Sequence, residues 1–329
     1  MSLLAPALEA FFSERLQHLR RASPCTVAAY RDAFRLLLGF ARTCLRKEPS
    51  ALLLADIDAS LVAAFLDHLE KERGNSVRTR NARLAAIHSF FRFLAVREPA
   101  HALLIQRVLA IPQKRFDRSL VTFLSHSEID ALLAAPDTAT RLGRRDRALL
   151  LLAVQTGFRL SEITALRVDD LAFGSGAHAR CHGKGRKERC TPLARATART
   201  LRTWLSECGA RGPDFLFRSR RGTQLSHDAV QRVIAKYVRI AGARCATLRR
   251  KHVTPHVLRH TTAVHLLQAG VDRSVIALWL GHEQVETTQI YLDADLAMKE
   301  RALARTAPPA VGTSRFRPKD SLLAFLEGL

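Results

Sequence analysis

Several features are missing from this sequence, and each absence excludes something. No apolar run approaches the roughly eighteen residues that a membrane-spanning helix needs. The longest, Ala148 to Val154, sits at the end of an amphipathic pattern, so no membrane partner is expected. The start, MSLLAPALEAFFSERL, has neither a basic leader nor a small-residue cleavage site, so export is not expected and the cytoplasm, with its nucleoid, is the expected location. No C-x-x-C pair occurs among the six cysteines (25, 44, 181, 190, 208 and 245), and in a chain this long they read as reduced thiols. Cys181 and Cys190 are the one pair that a hairpin would set face to face. The nucleoside-triphosphate loop G-x-x-x-x-G-K-[ST] occurs nowhere, and no acidic cluster suggests a two-metal nuclease. Acidic residues are in short supply: 30 Asp and Glu face 52 Lys and Arg, a formal charge of +22 over 329 residues. That surplus points to a polyanion, with nucleic acid ahead of an acidic membrane surface. There are only three tyrosines, Tyr30, Tyr237 and Tyr291.

What is present is a globular composition, 47% hydrophobic and 25% charged, enough for one large domain or two ordinary ones. The first hundred residues read as consecutive helices, because apolar residues recur every three or four positions between helix signals. Ser23 and Pro24 form an N-cap and first-turn pair ahead of Val27, Tyr30, Phe34, Leu37 and Leu38. A further pattern runs from Asp58 through Leu61, Phe65 and Leu69 to Gly74, and another from Ser76 through Leu84, Ile87, Phe91 and Leu94 toward Pro99. Residues 1–105 are therefore expected to form a helical domain. Residues 106–119, with Pro112 and the cations Arg107, Lys114, Arg115 and Arg118, are the expected basic linker.

A second domain, residues 120–306, opens with the capping-box pattern Ser125-His126-Ser127-Glu128. An apolar helix follows over 147–155, which Thr156-Gly157 should end, and another begins near Ser161. From Val168 to Leu193 the pattern is strand-like, and HARCHGKGRKERCTPL reads as a hairpin with a basic tip. Helices return near 195–207, 226–241, 255–269 and 273–280, with Trp204, Tyr237 and Trp279 on apolar stripes. The expected fold is mainly α with a small antiparallel β-sheet. Residues 307–329 form a tail ending in SLLAFLEGL, an amphipathic stretch too short to hold a helix alone. It must dock on its own chain, dock on a neighbour, or fray.

The densest chemistry lies in Thr254-Pro255-His256-Val257-Leu258-Arg259-His260. Thr254 as N-cap and Pro255 in the first turn put His256 one helical turn before Arg259 and His260, on one face near amides that favour an anion. A metal on His256 and His260 is the rival reading, and Val257 in place of the Glu of H-E-x-x-H together with the fixed charge of Arg259 counts against it. His260 by itself reads as a packed, structural histidine. Arg159, flanked by Phe158 and Leu160, is expected at a partly buried place with either Glu162 or a phosphate as partner. Lys184 stands between glycines at the hairpin tip, and Arg186, Lys187 and Arg189 beside it suit phosphate contacts. Tyr30 and Tyr237 lie on apolar stripes, whereas Tyr291 lies in the polar segment ETTQIYLDADL. Arginine forks, a tyrosine nucleophile and histidine or lysine proton carriers make a set for phosphodiester chemistry.

At these residues the sequence resembles the tyrosine recombinase or phage integrase family, in particular its Xer-like branch. The matching segments are TGFRLSE, GKGRKERCTPL, HVLRHTTAVHLLQAG and WLGHEQVETTQIY, in that order, with TVAAYRDAFRLLLGF and SVRTRNARLAAIHSFFRFL similar to the family's helical core-binding, SAM-like domain. The ordered set is far more specific than any one block. The resemblance implies a mixed α+β catalytic domain in which Arg159 and Arg259 clamp the scissile phosphate and His282 hydrogen-bonds to it. It further implies Lys184 as general acid, His256 as an aid to proton transfer and Tyr291 as the attacking nucleophile. No cofactor, metal or ATP is then required. It also implies double-stranded DNA carrying a specific recombination site as partner, and a homo- or hetero-tetramer assembled on it, with the terminal helix a candidate for exchange between protomers. Arg80 and Arg83 on the fourth helix are candidate DNA contacts. The expected function is that of a site-specific recombinase of a mobile element, a transposition or integration system, or chromosome maintenance. The alternatives are a non-catalytic helix-turn-helix regulator, built on HTTAVHLLQAG and VDRSVIALWLGH around Gly270, and a relaxing topoisomerase with the same chemistry.

Overall fold

The computed structural model describes residues 2–116, 121–183, 188–219 and 221–281. The chain divides into two compact units, Met1–Arg118 and Ser119–Leu329. Among the described residues the fold is mostly helical, with one three-stranded antiparallel sheet. No described helix is long and apolar enough to cross a membrane.

The first unit holds α1 (Leu4–Ala10), which runs on in wider turns to Leu19, then α2 (Pro24–Leu45), α3 (Ala59–Lys71), α4 (Val77–Arg97) and α5 (Ala102–Leu109). Ser23 caps α2 as expected, its side chain accepting from the Thr26 N–H, and Asp58 and Ser76, where the next two patterns begin, accept in the same way from Leu61 and Thr79. The apolar stripes meet in a core whose centre is aromatic, with the Phe11, Phe34 and Phe90 ring centroids 5.3–6.2 Å apart in edge-on pairs.

The expected boundary at residue 105 falls inside α5, whose Ile105 and Val108 are buried in this core. The basic stretch after it is fastened to the start of α4. Asn81 and Lys114 exchange two hydrogen bonds, Nδ2 to the Lys114 carbonyl at 2.7 Å and the Lys114 N–H to Oδ1 at 3.1 Å. Arg80 donates to the Pro112 carbonyl at 3.1 Å, and Lys114 pairs with Glu70. Arg80, expected as a DNA contact, is only 5% exposed, and what it holds is the chain itself. Arg83, one turn further, is half-buried.

The second unit comprises α6 (His126–Ala134), α7 (Arg141–Thr156), α8 (Leu160–Ala165), β1 (Leu171–Ala172), β2 (His178–His182), β3 (Glu188–Pro192), α9 (Arg195–Cys208), α10 (His227–Ala241), α11 (Pro255–Gln268) and α12 (Arg273–Leu280). The Ser125–Glu128 capping box is formed in both directions, and α7 begins six residues before the expected start, capped by Thr140. The core gathers apolar residues of α6, α7, α9 and α10 against the sheet, with a smaller cluster between α11 and α12. Two stripe aromatics also find polar partners: the Trp204 indole donates to the Leu216 carbonyl at 3.0 Å and the Tyr237 hydroxyl to Asp146 at 3.0 Å. Burial, followed by the Asp146 charge, pushes the Tyr237 phenol up to about 12, which fits a structural tyrosine.

The hairpin register pairs Cys181 with Arg189 and Arg180 with Cys190. Cys181 and Cys190 are therefore one position out of step and on opposite faces, Cys181 buried and Cys190 exposed. They do not face each other as the sequence suggested. Burial pushes the Cys181 thiol up to about 12, so it stays protonated.

Candidate active site

The helix α7 ends at Gly157, whose φ of +63° is the left-handed C-cap that lets the chain turn at once into α8. Any side chain there meets an obstacle as well as strain, since a Cβ would lie 2.6 Å from Leu280 Cδ2. Two residues on, Arg159 is the N-cap of α8, and Glu162 in the first turn accepts its backbone N–H at 2.7 Å. That local cap fixes the Glu162 carboxylate beneath the Arg159 guanidinium, which donates to it at 2.9 Å.

The same carboxylate takes a second arginine. Arg189 of β3 donates to both of its oxygens, at 3.0 and 2.7 Å, in the two-pronged geometry that suits a guanidinium to a carboxylate. Burial pushes the Glu162 carboxyl up, but the Arg189 hydrogen bonds and charge, with those from Arg159, outweigh it and hold the group below the usual glutamate range.

The end of α12 unites the network. The last carbonyls of a helix have no partner inside it and carry the negative end of its dipole. Here three consecutive carbonyls each accept from a different arginine: Trp279 from Arg189 at 3.0 Å, Leu280 from Arg259 at 2.6 Å, and Gly281 from Arg159 at 2.8 Å. Arg259 donates further to the Gly157 carbonyl at 2.8 Å and is 4% exposed, so it joins the ends of α7 and α12. Gly281 has a φ of +66°, and a Cβ there would stand 2.8 Å from Arg189 Nη1. Arg159 and Arg259, a hundred residues apart in the chain, are thus docked on adjacent peptide groups immediately before His282.

Arg159 keeps 31% of its side chain exposed and spends two of its five N–H donors on Glu162 and Gly281. His256 is exposed in the first turn of α11, whose Thr254 cap accepts from the Val257 N–H at 3.3 Å. His260 is half-buried, 6.4 Å from His256 between ring centroids. Burial first, and then the positive neighbours His256 and Arg259, lower its imidazole to about 4, so it is neutral at physiological pH. The Cε1–H resonance of His260 should accordingly titrate near 4 in the folded protein. Its contribution to stability is complete above the unfolded value of 6.5 and is lost as pH falls toward 4, since the unfolded chain takes up the proton first. His260→Gln should flatten that part of the stability profile, and a folded midpoint near 6.5 would contradict the assignment.

Lys184, Arg186, Lys187, His282, Tyr291 and the tail at 307–329 lie outside the described residues. Arg189 departs from the expectation, because its fork is bound to both oxygens of the Glu162 carboxylate, which neutralises the charge that a phosphate would need. Strand alternation could have revealed this: Arg189 and Thr191 share a face and lie opposite the buried Cys181 and Ala179. Glu162, which the sequence offered only as an ordinary partner of Arg159, is the hub of the network. The helix pair around Gly270 exists as α11 and α12, and the C-terminal end of α12 accepts Arg259 of α11.

Two family models match the chain, one described as the phage integrase family over residues 122–298 and one as the phage integrase N-terminal SAM-like domain over residues 9–98. A putative integrase/recombinase y4rC of Sinorhizobium fredii (strain NBRC 101917 / NGR234) is 61% identical over 326 residues, covering 99% of this chain and 98% of that one. A tyrosine recombinase XerC of Pelotomaculum thermopropionicum is 33% identical over 303 residues, covering 89% of this chain and 95% of that one. Among solved structures, the post-cleavage complex of the XerH site-specific recombinase with its palindromic difH substrate superposes with a TM-score of 0.69 at 23% identity, covering 89% of this chain and 83% of that one. That likeness bears on the fold.

Proposed function

The chain belongs to the phage integrase family of tyrosine recombinases, and from that premise we propose that it cuts and rejoins double-stranded DNA at a specific site, with Tyr291 as nucleophile. The observation that carries the reading is the pairing of Arg159 and Arg259 on the adjacent carbonyls of Gly281 and Leu280. Two guanidiniums held side by side at fixed positions can neutralise the non-bridging oxygens of one phosphodiester as charge develops there. Because both are anchored on backbone carbonyls, and Arg159 on the buried Glu162 carboxylate as well, little reorganisation is needed when the substrate arrives.

In this reading the Tyr291 oxygen attacks phosphorus and gives up its proton, the phosphorus–O5′ bond breaks, and Lys184 returns a proton to the departing 5′ hydroxyl. The product is a 3′-phosphotyrosine bond. One phosphate ester has been exchanged for another, so a 5′ hydroxyl from a second strand can reverse the step without ATP. His282 donates a hydrogen bond to the phosphate, and exposed His256 relays a proton. Arg83, Arg186 and Lys187 contact the DNA backbone away from the reacting bond. We assign the protein to the cytoplasm, acting on nucleoid DNA for a mobile element or chromosome maintenance, as a tetramer on two sites in which the terminal SLLAFLEGL segment is exchanged between protomers.

The test is covalent trapping. Nicked duplexes built from the DNA that flanks the gene release the short fragment that carries the new 5′ hydroxyl, so the protein should remain attached to the 3′ phosphate of the other fragment. Mass spectrometry of the proteolysed adduct should locate the nucleotide on Tyr291. Attachment at any other residue would overturn the site assignment, and binding with no adduct on any flanking duplex would favour a regulator. Relaxation of plasmids lacking those sequences would favour a topoisomerase.

A further inference from the structure

A second group of arginines lies at the other end of α7. The first turns of α7 pack beside α9 and leave a groove of about 270 Å³ between them, lined by Arg144, Arg147, Arg199, Thr200, Thr203 and Glu207. Glu207 is the acid in this lining, and it is already committed: Arg144 grips both of its oxygens at 2.7 Å and gives its remaining fork to the Thr138 and Ala139 carbonyls. Arg147 and Arg199 are exposed and make no ion pair among the described residues. Arg195, Arg199 and Arg202 recur at helical spacing on one exposed side of α9, and the Arg202 guanidinium stacks on the Phe173 ring at 5.0 Å. From Arg195 to Arg202 the row is about 10 Å long, comparable with the axial rise of three base pairs of a duplex, about 3.4 Å each.

We propose that this arginine face of α7 and α9 is a second phosphate-backbone site, which holds a segment of duplex DNA apart from the strand being cut. Solubilising arginines are usually interspersed with acids that pair with them, whereas here the one lining acid is withdrawn from Arg147 and Arg199. Guanidinium and hydroxyl groups are the set that positions a protein on a DNA backbone without reading its sequence. The groove offers no exposed ring on which an unpaired base could stack, because Trp204 is buried with its indole bound to the Leu216 carbonyl. The same lack of an apolar anchor disfavours a protein partner. From Arg147 to Gly157 is about 15 Å along the α7 axis, so this face is separate from the paired arginines.

The test uses the full chain and a fluorescent duplex of about 15 bp and arbitrary sequence, titrated at low salt to count duplexes bound per chain. Arg147→Glu/Arg199→Glu should bind one duplex fewer than the unmodified protein. The milder Arg147→Gln/Arg199→Gln should retain the count while lowering the slope of log affinity against log salt by about 2. An equal charge reversal at exposed Arg221 and Arg244 should change neither. The proposal is overturned if the Glu pair leaves the count and the salt slope intact, if the Arg221/Arg244 control loses the same duplex, or if polyglutamate occupies the groove and DNA does not. Cleavage plays no part in this readout, so failure to trap an adduct and failure of this face to bind DNA are separate results.

Discussion

Arg259→Lys is expected to lower single-turnover cleavage by on the order of 10²–10³-fold while affinity for DNA changes only a few-fold. The guanidinium of Arg259 reaches two carbonyls in different elements, Gly157 at 2.8 Å and Leu280 at 2.6 Å. A lysine ammonium is a point charge with no fork. It can satisfy one of those carbonyls, but it cannot span both and still present a planar pair of donors to a phosphate. The second carbonyl is then left buried without a donor, and the end of α12 loses its register against α7, which displaces the Gly281 carbonyl that orients Arg159. Affinity survives because one contact is lost from a chain that carries a surplus of 22 positive charges. Single-turnover adduct formation on a nicked duplex, beside a filter-binding isotherm, separates the two effects. Cleavage by Arg259→Lys at close to the unmodified rate would mean that Arg259 is a strut of the fold with no contact to the phosphate.

Removing Glu162 is expected to be the most destabilising single change in the second unit. Its side chain is 3% exposed, and it neutralises Arg189, itself 12% exposed, and caps α8 through Arg159. Deleting one partner of a buried pair strands the other charge, at a cost of roughly 3–5 kcal/mol. For a unit of about 200 residues this moves Tm by on the order of 10 °C. Arg159, a third exposed, can turn to solvent and adds little to the loss. Arg189→Met placed on Glu162→Ala should recover most of the stability, because the stranded cation is gone, and a double-mutant cycle should show strong coupling. The pH dependence follows from the depressed carboxyl. Its contribution is present above the ordinary glutamate value of 4.5 and is lost as pH falls through the lower folded value. Glu162→Ala melting within a degree or two of the unmodified protein would show that the network is not what holds α8, β3 and α12 together.

The local grammar of this chain was legible from residues alone. Ser23, Ser125 and Thr254 were expected to cap helices and do so, because capping depends on a side chain and an amide three residues away. Gly157 was expected to end α7 for an equally local reason, the left-handed turn. The blocks TGFRLSE and HVLRH point to Arg159 and Arg259 for the same chemistry. Less legible were the extents of α5 and α7, where weak periodicity and a run of arginines hid helices that tertiary packing stabilises.

Charge was where sequence reasoning went astray. Arg80 and Arg189 looked like surface cations available to DNA, and both are interior, one strapping the Pro112 segment to α4 and the other neutralising Glu162. A side chain's charge does not say which way it points; that is set by the partners that folding brings within 3 Å. Residue patterns are enough for the helices, the order of the motifs and the family. It takes the folded chain to give the carbonyls of Trp279, Leu280 and Gly281 one arginine each, drawn from residues 189, 259 and 159. Backbone acceptors carry no residue identity, so no pattern of side chains announces them, and helix ends become binding positions only when the fold places cations beside them.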